Sequence, residues 1–153
     1  MRRFEYVAPE TLEDAIEALR SREGATLLAG GTDLVVQMKE GGRRAPVIVS
    51  LRRIRGLRDV SWNPASSLRI GAGALLADVA ANEIVRRRYL ALSEGAGIVG
   101  SVQTRNLGTI GGNICNAAPS ADTAPALLVF DGVVLIAGAG GARRLPLSEF
   151  FTG

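Results

Sequence analysis

The sequence predicts a mixed α/β and α+β fold in two lobes. A small parallel α/β lobe is expected over residues 1–58, followed by a larger α+β lobe with antiparallel pairing over residues 59–153. Three observations carry this expectation. Strand-like and helix-like segments alternate up to Leu51, which is the pattern of a parallel sheet with crossover helices. Beyond Pro64 the pattern changes to longer helical runs and an apolar hairpin. The composition, 47% hydrophobic and 22% charged, is that of a chain with a buried core.

The elements follow in order. "FEYVA" (4–8) reads as a first strand. "TLEDAIEALRS" (11–21) reads as a helix, with Thr11 as N-cap, Asp14 three residues on, and Leu12, Ala15, Ile16 and Leu19 on one face. "ATLLAG" (25–30) is a short buried strand running into two glycines. "TDLVVQMKE" (32–40) opens on a capping residue and continues as a helix. "GGRRAP" is a turn and "VIVSL" (47–51) a further buried strand. In the second lobe, turn residues occupy 63–67 and a strand starts at Leu68. "LLADVAANEIVRRR" (75–88) and "YLALSEGAGIVG" (89–100) read as helices, the glycine-rich run after Arg105 as loop, and "APALLVFD" (124–131) as a buried helix. "GVVLIAGAGGARRLPL" (132–147) reads as a hairpin around "GAGG". Phe150 and Phe151 are expected to form an exposed apolar flank.

Composition excludes several kinds of chemistry. The chain has no histidine and one cysteine, Cys115. The usual general base, the Ser-His and Cys-His nucleophile systems, the commonest metal ligand and an internal disulfide are all absent. Cys115 itself is expected to be a small buried hydrophobe. Any reaction then depends on a bound cofactor. Every basic residue except Lys39 is an arginine, but aromatic residues are 5% and no stacking set interleaves with the arginine clusters, so no nucleic-acid partner is expected. No apolar run approaches the ~20 residues of a membrane span. Glu5 and Glu10 interrupt any leader-like core in "MRRFEYVAPE", and the reading is cytoplasmic.

Two glycine segments stand out. In Ala29-Gly30-Gly31-Thr32-Asp33-Leu34 a buried strand ends, two glycines follow and a helix starts. Glycine admits positive φ and close approach to the backbone, and a helix start leaves N–H groups unpaired. Such a junction suits an anion, and a diphosphate above all. Thr109-Ile110-Gly111-Gly112-Asn113 is a candidate second half of the same cradle, with a hydroxyl, bare amides and a side-chain amide, and with Ile110 as an anchor in the core. Downstream, Asp122 could accept a hydrogen bond from a sugar hydroxyl or cap the helix at Ala124. Neither segment fits G-x-G-x-x-G or G-x-x-x-x-G-K-[ST].

"LLAGGTDLVVQMK", "VGSVQTRNLGTIGGNICNAAPSAD" and "LPLSEFFTG", in this order and spacing, resemble the FAD-binding medium subunit or domain of the xanthine dehydrogenase and carbon monoxide dehydrogenase family of molybdenum hydroxylases. The resemblance begins at "FEYVAPETLEDAIEAL" and implies a two-lobe FAD-binding domain. It assigns the FAD diphosphate to Ala29, Gly30, Gly31, Thr32, Asp33 and Leu34, and to Thr109, Ile110, Gly111, Gly112 and Asn113. It places Asp122 near the flavin's sugar or phosphate region. No residue of the chain is implied as a catalytic acid or base, and none as a metal ligand.

The resemblance also implies partners. These are an iron–sulfur small subunit and a large subunit carrying the molybdenum cofactor, in a dimerised heterotrimer, with an acceptor such as NAD or a quinone. The family continues beyond the position of Gly153. The chain is therefore expected to be a truncated flavin lobe with weakened FAD affinity. The alternative expectation is a scaffold that docks partner subunits, through patches such as Arg52-Arg53-Arg55, without tight FAD binding.

Overall fold

The computed structural model describes residues 2–65 and 67–151. Met1, Ser66, Thr152 and Gly153, which fall in the N-terminal, turn and C-terminal stretches read above, lie outside the described residues.

The chain opens with β1 (Glu5–Val7), α1 (Leu12–Ser21), β2 (Ala25–Leu28), α2 (Leu34–Glu40) and β3 (Val47–Ser50). The strands form a parallel sheet in the order β1-β3-β2, with Ile48 opposite both Tyr6 and Thr26. The central position of β3 explains why all four of its residues are buried. Side chains alternate across a strand, so "VIVS" must be covered on both sides. Val49 packs with Ala15 and Ala18 of α1, while Ile48 packs with Met38 of α2. Full burial of such side chains stabilises the fold by about 1.5–3 kcal/mol each. Thr11 caps α1 as expected: its hydroxyl accepts from the Asp14 amide at 3.1 Å and donates to the Asp14 carboxylate at 2.7 Å. Gly41, at φ +83°, ends α2 in the left-handed region.

The second part contains β4 (Val60–Trp62), β5 (Leu68–Ile70), α3 (Leu76–Ala81), α4 (Glu83–Arg88), α5 (Leu90–Ile98), α6 (Val102–Arg105), α7 (Ile110–Asn116), α8 (Ala124–Val129), β6 (Val133–Gly138) and β7 (Gly141–Pro146). A 3-10 turn at Leu147–Glu149 follows. β4 pairs with β5, and β6 with β7, both antiparallel. One apolar cluster, containing Leu76, Val79, Val85, Leu92, Ala96, Ile110 and Ala126, holds α3, α4, α5, α7 and α8 together. Trp62, Tyr89 and Phe130 meet edge to face along its side, with centroids 6.1 and 5.1 Å apart, and Arg88 lies over Trp62. Alternation in the first part, antiparallel pairing in the second and the hairpin around residues 138–141 agree with the fold class read from sequence.

Four expectations need correction. The single helix over 75–88 is two, because Asn82 is extended and its side chain accepts from the amides of Ile84 and Val85, restarting the helix as α4. β4 lies where no strand was read, since three residues are too few to show alternation. The glycine-rich run after Arg105 is not all loop, as α7 occupies 110–116. Phe150 and Phe151 are half-buried and stack edge to face at 5.6 Å, so they are not an exposed flank.

Candidate functional site

The first glycine segment leaves the sheet where β2 ends. The Leu28 carbonyl still accepts from the Leu51 amide at 2.9 Å. Gly31 then takes φ +81°, a conformation that L side chains rarely adopt, and the chain turns away from β3. Helical bonding resumes only when the Val35 amide reaches the Gly31 carbonyl at 3.1 Å. Between these points, none of the amides from Ala29 to Leu34 donates to another group among the described residues. Backbone N–H groups are rarely left unpaired unless a ligand or water takes them. Asp33, not Thr32, is the N-cap of α2. It is helical in conformation, and its carboxylate accepts from the Thr32 hydroxyl at 3.2 Å instead of capping the helix.

Two contacts hold this segment in place. A Cβ on Gly30 would lie 2.3 Å from the Leu107 carbonyl oxygen and 2.7 Å from the Gly108 Cα, so the Gly30 backbone rests directly on the chain just before Thr109. From another direction, Arg52 Nη2 donates to the Gly30 carbonyl at 3.2 Å.

The second segment is a helix start. Thr109, extended and 5% exposed, caps α7, its hydroxyl accepting from the Gly112 amide at 3.0 Å. The segment is stitched to residues 72–76: Leu76 N donates to Gly108 O at 3.0 Å, Ile110 N to Ala74 O at 2.9 Å and Gly111 N to Ala72 O at 2.9 Å. Ile110 enters the core, as the sequence suggested. The two glycines differ. A Cβ on Gly111 would lie 2.6 Å from Ala72 O, so this residue serves internal packing. A Cβ on Gly112 would meet the Thr109 hydroxyl at 3.0 Å and Ala29 Cβ at 3.8 Å, so its face looks toward the first segment. The Thr32 hydroxyl lies 3.7 Å from the Cβ position of Gly108.

The two segments therefore lie side by side. Their donors are distributed unequally. The amides of Ile110, Gly111, Gly112 and Asn113 already have protein acceptors, whereas those of the first segment have none among the described residues. What the second segment presents is the bare Cα of Gly112, the Thr109 hydroxyl proton and the side-chain amide of Asn113. The Asn113 Oδ1 accepts from the fully buried Thr123 hydroxyl, which leaves its NH2 group as a donor.

That bond also brings residues 122–123 to the site. Asp122 is exposed, and it does not cap α8, whose N-cap is Thr123. Its backbone rests on α5 at Gly95, where a Cβ would lie 2.5 Å from Asp122 O. Cys115, on α7, is exposed and not the buried hydrophobe expected from its residue type, although partial desolvation pushes its thiol pKa up.

Amide and hydroxyl donors on two segments that lie side by side suit an anion with several oxygens. No group of three or more His, Cys, Asp and Glu that could hold a metal occurs among the described residues. No helix among them is long and apolar enough to cross a membrane. Leu107, Gly108, Ala72 and Gly95 shape the site but were not assigned to it from the sequence, and Arg52 was read only as part of a docking patch. A glycine inside a helical pattern, as at Gly95, signals close backbone approach. Nothing in the sequence pointed to Arg52 as a partner of Gly30.

Known proteins of similar sequence are named for FAD binding. The family described as the FAD binding domain in molybdopterin dehydrogenase matches residues 2–153. The chain is 37% identical over 148 residues to the xanthine dehydrogenase FAD-binding subunit of Escherichia coli O157:H7, covering 97% of this chain and 51% of that protein. It is 32% identical to the nicotinate dehydrogenase FAD-subunit of Eubacterium barkeri, covering 100% of this chain and 52% of that one. Among solved structures it superposes on carbon monoxide dehydrogenase from Hydrogenophaga pseudoflava with a TM-score of 0.95 and 33% identity, over 99% of this chain and 53% of that chain. The chain thus spans about half the length of the curated relatives it matches. It belongs to the family of FAD-binding domains of molybdopterin dehydrogenases.

Proposed function

We propose that the two glycine segments grip the FAD diphosphate, with the unpartnered amides of Ala29, Gly30, Gly31, Thr32, Asp33 and Leu34 as its principal donors. The observation that carries this reading is that run of N–H groups with no acceptor among the described residues, beside a second segment whose own amides are occupied. The residues fit the group. The free groups are donors, and Gly112 leaves open the space where a side chain would stand between the segments. Thr109 contributes its hydroxyl and Asn113 its NH2 group, while Ile110 and Gly111 hold the segment in register. Asp122, exposed and fixed next to Thr123, accepts from a sugar hydroxyl.

Division of the chain at residues 58 and 59 places the first segment on the N-terminal lobe and the second on the C-terminal lobe, with FAD at their junction. Bound there, FAD would supply the redox chemistry of a cytoplasmic enzyme, between iron–sulfur clusters of a small partner subunit, downstream of a molybdenum cofactor on a large one, and an acceptor such as NAD or a quinone. The chain's own residues bind and orient the group, and none needs to transfer a proton.

The test is an absorbance spectrum after addition of excess FAD and desalting. Bands near ~450 nm at a 1:1 ratio, lost in Gly112→Val, are expected, because the added side chain fills the gap between the segments. A folded wild-type protein without these bands overturns the reading.

A further inference from the structure

We propose that Arg52 is a positioning residue for the cofactor, acting through the peptide that joins Gly30 to Gly31. This rests on the diphosphate reading above. Arg52 Nη2 donates to the Gly30 carbonyl at 3.2 Å. A peptide unit is planar and trans, so the carbonyl of Gly30 and the N–H of Gly31 point in opposite directions. A guanidinium that holds the carbonyl on one side fixes the N–H on the other. The Gly31 amide is among those with no acceptor among the described residues. Gly31 sits at φ +81° directly after Gly30, so the peptide between these two glycines has little else to prevent it from flipping.

The hydrogen bond has a second effect. A charged donor on the carbonyl polarises the peptide and strengthens its N–H as a donor, as expected for linked hydrogen bonds. Arg52 has the reach because it lies two residues past the end of β3, and its own amide donates to the Ser50 hydroxyl at 3.4 Å. Its side chain lines a narrow cleft with Ala29, Leu107 and Thr109, where the two glycine segments meet. No carboxylate pairs with it among the described residues, so its charge is available to the peptide.

Arg53 is the control. It carries the same charge one residue away, is exposed, and forms no side-chain hydrogen bond or ion pair among the described residues. The experiment compares wild type, Arg52→Met, Arg52→Lys and Arg53→Met in the intact protein. It measures FAD affinity, apoprotein melting temperature and the amide NMR shift of Gly31. Arg52→Met is expected to weaken FAD binding by about two- to fivefold, the scale of one exposed charged hydrogen bond. It should also move the Gly31 amide signal while leaving apoprotein melting unchanged. Arg52→Lys recovers part of the affinity, and Arg53→Met changes it less than about twofold.

Equal affinities in Arg52→Met and wild type overturn the proposal, as does an equal loss in Arg53→Met, which would indicate diffuse charge. A wild-type protein that takes up no FAD instead overturns the diphosphate reading on which the proposal rests.

Discussion

Replacement of Gly30 by alanine tests how the two halves of the site are joined. The new Cβ would lie 2.3 Å from Leu107 O, 2.7 Å from Gly108 Cα and 2.9 Å from Leu107 C, all backbone atoms that no rotamer change can move. Ordinary contact begins at 3.4 Å, so the segments must separate by roughly 1 Å. Overpacking of this kind costs about 2 kcal/mol. For a domain of this size, that corresponds to a melting temperature about 4–8 °C lower. The separation also moves the first-segment amides away from the second segment, and FAD affinity should fall by about tenfold, the scale of one lost charged hydrogen bond. Gly140→Ala is the matched control, because its Cβ meets nothing within 4 Å and its φ is not positive. Melting curves of the apoproteins and FAD titrations check both effects. If Gly30→Ala melts and binds like Gly140→Ala, the contact between the segments is not what builds the site.

Other outcomes follow from the same geometry. Thr109→Val removes the α7 cap at Gly112 and should cost about 1 kcal/mol in stability. Thr109→Ser should restore most of it, as read by chemical denaturation. Asn82→Ala removes a cap that serves both Ile84 and Val85, so it should lower the melting temperature through a loss of about 1 kcal/mol while FAD affinity holds. Gly95→Ala places a Cβ 2.5 Å from Asp122 O and should weaken FAD binding by displacing residues 122–123, which a titration would show. The raised pKa of Cys115 means that less thiolate is present at any pH below it. Iodoacetamide at pH 8 should therefore alkylate this exposed thiol more slowly than a free cysteine peptide, as followed by mass spectrometry.

Much of the fold was legible because its signals are local. "VIVS" reads as a buried strand from the apolar run Val47, Ile48 and Val49, and Thr11 with Asp14 reads as a helix start. The first glycine segment was legible for the same reason: a strand, a glycine pair and a helix follow one another in the chain. α7 was not, because Gly111 and Gly112 weaken helix propensity and the helix depends on the Thr109 cap and the core position of Ile110. The break at Asn82 was hidden by helical periodicity that continues across it. The unequal roles of Gly111 and Gly112 depend on Ala72, and the tie to Gly30 on Arg52. These are contacts across sequence, on which neither motif nor period bears.

The most direct test of the account is an amide NMR titration of the intact protein with FAD. The account predicts that the largest downfield shifts of amide protons fall on Ala29 through Leu34, with the Asn113 side-chain NH2 group moving alongside them and the backbone amides of Ile110 and Gly111 moving far less. FAD bound at a 1:1 ratio while the signals of Ala29 through Leu34 stay in place would contradict it.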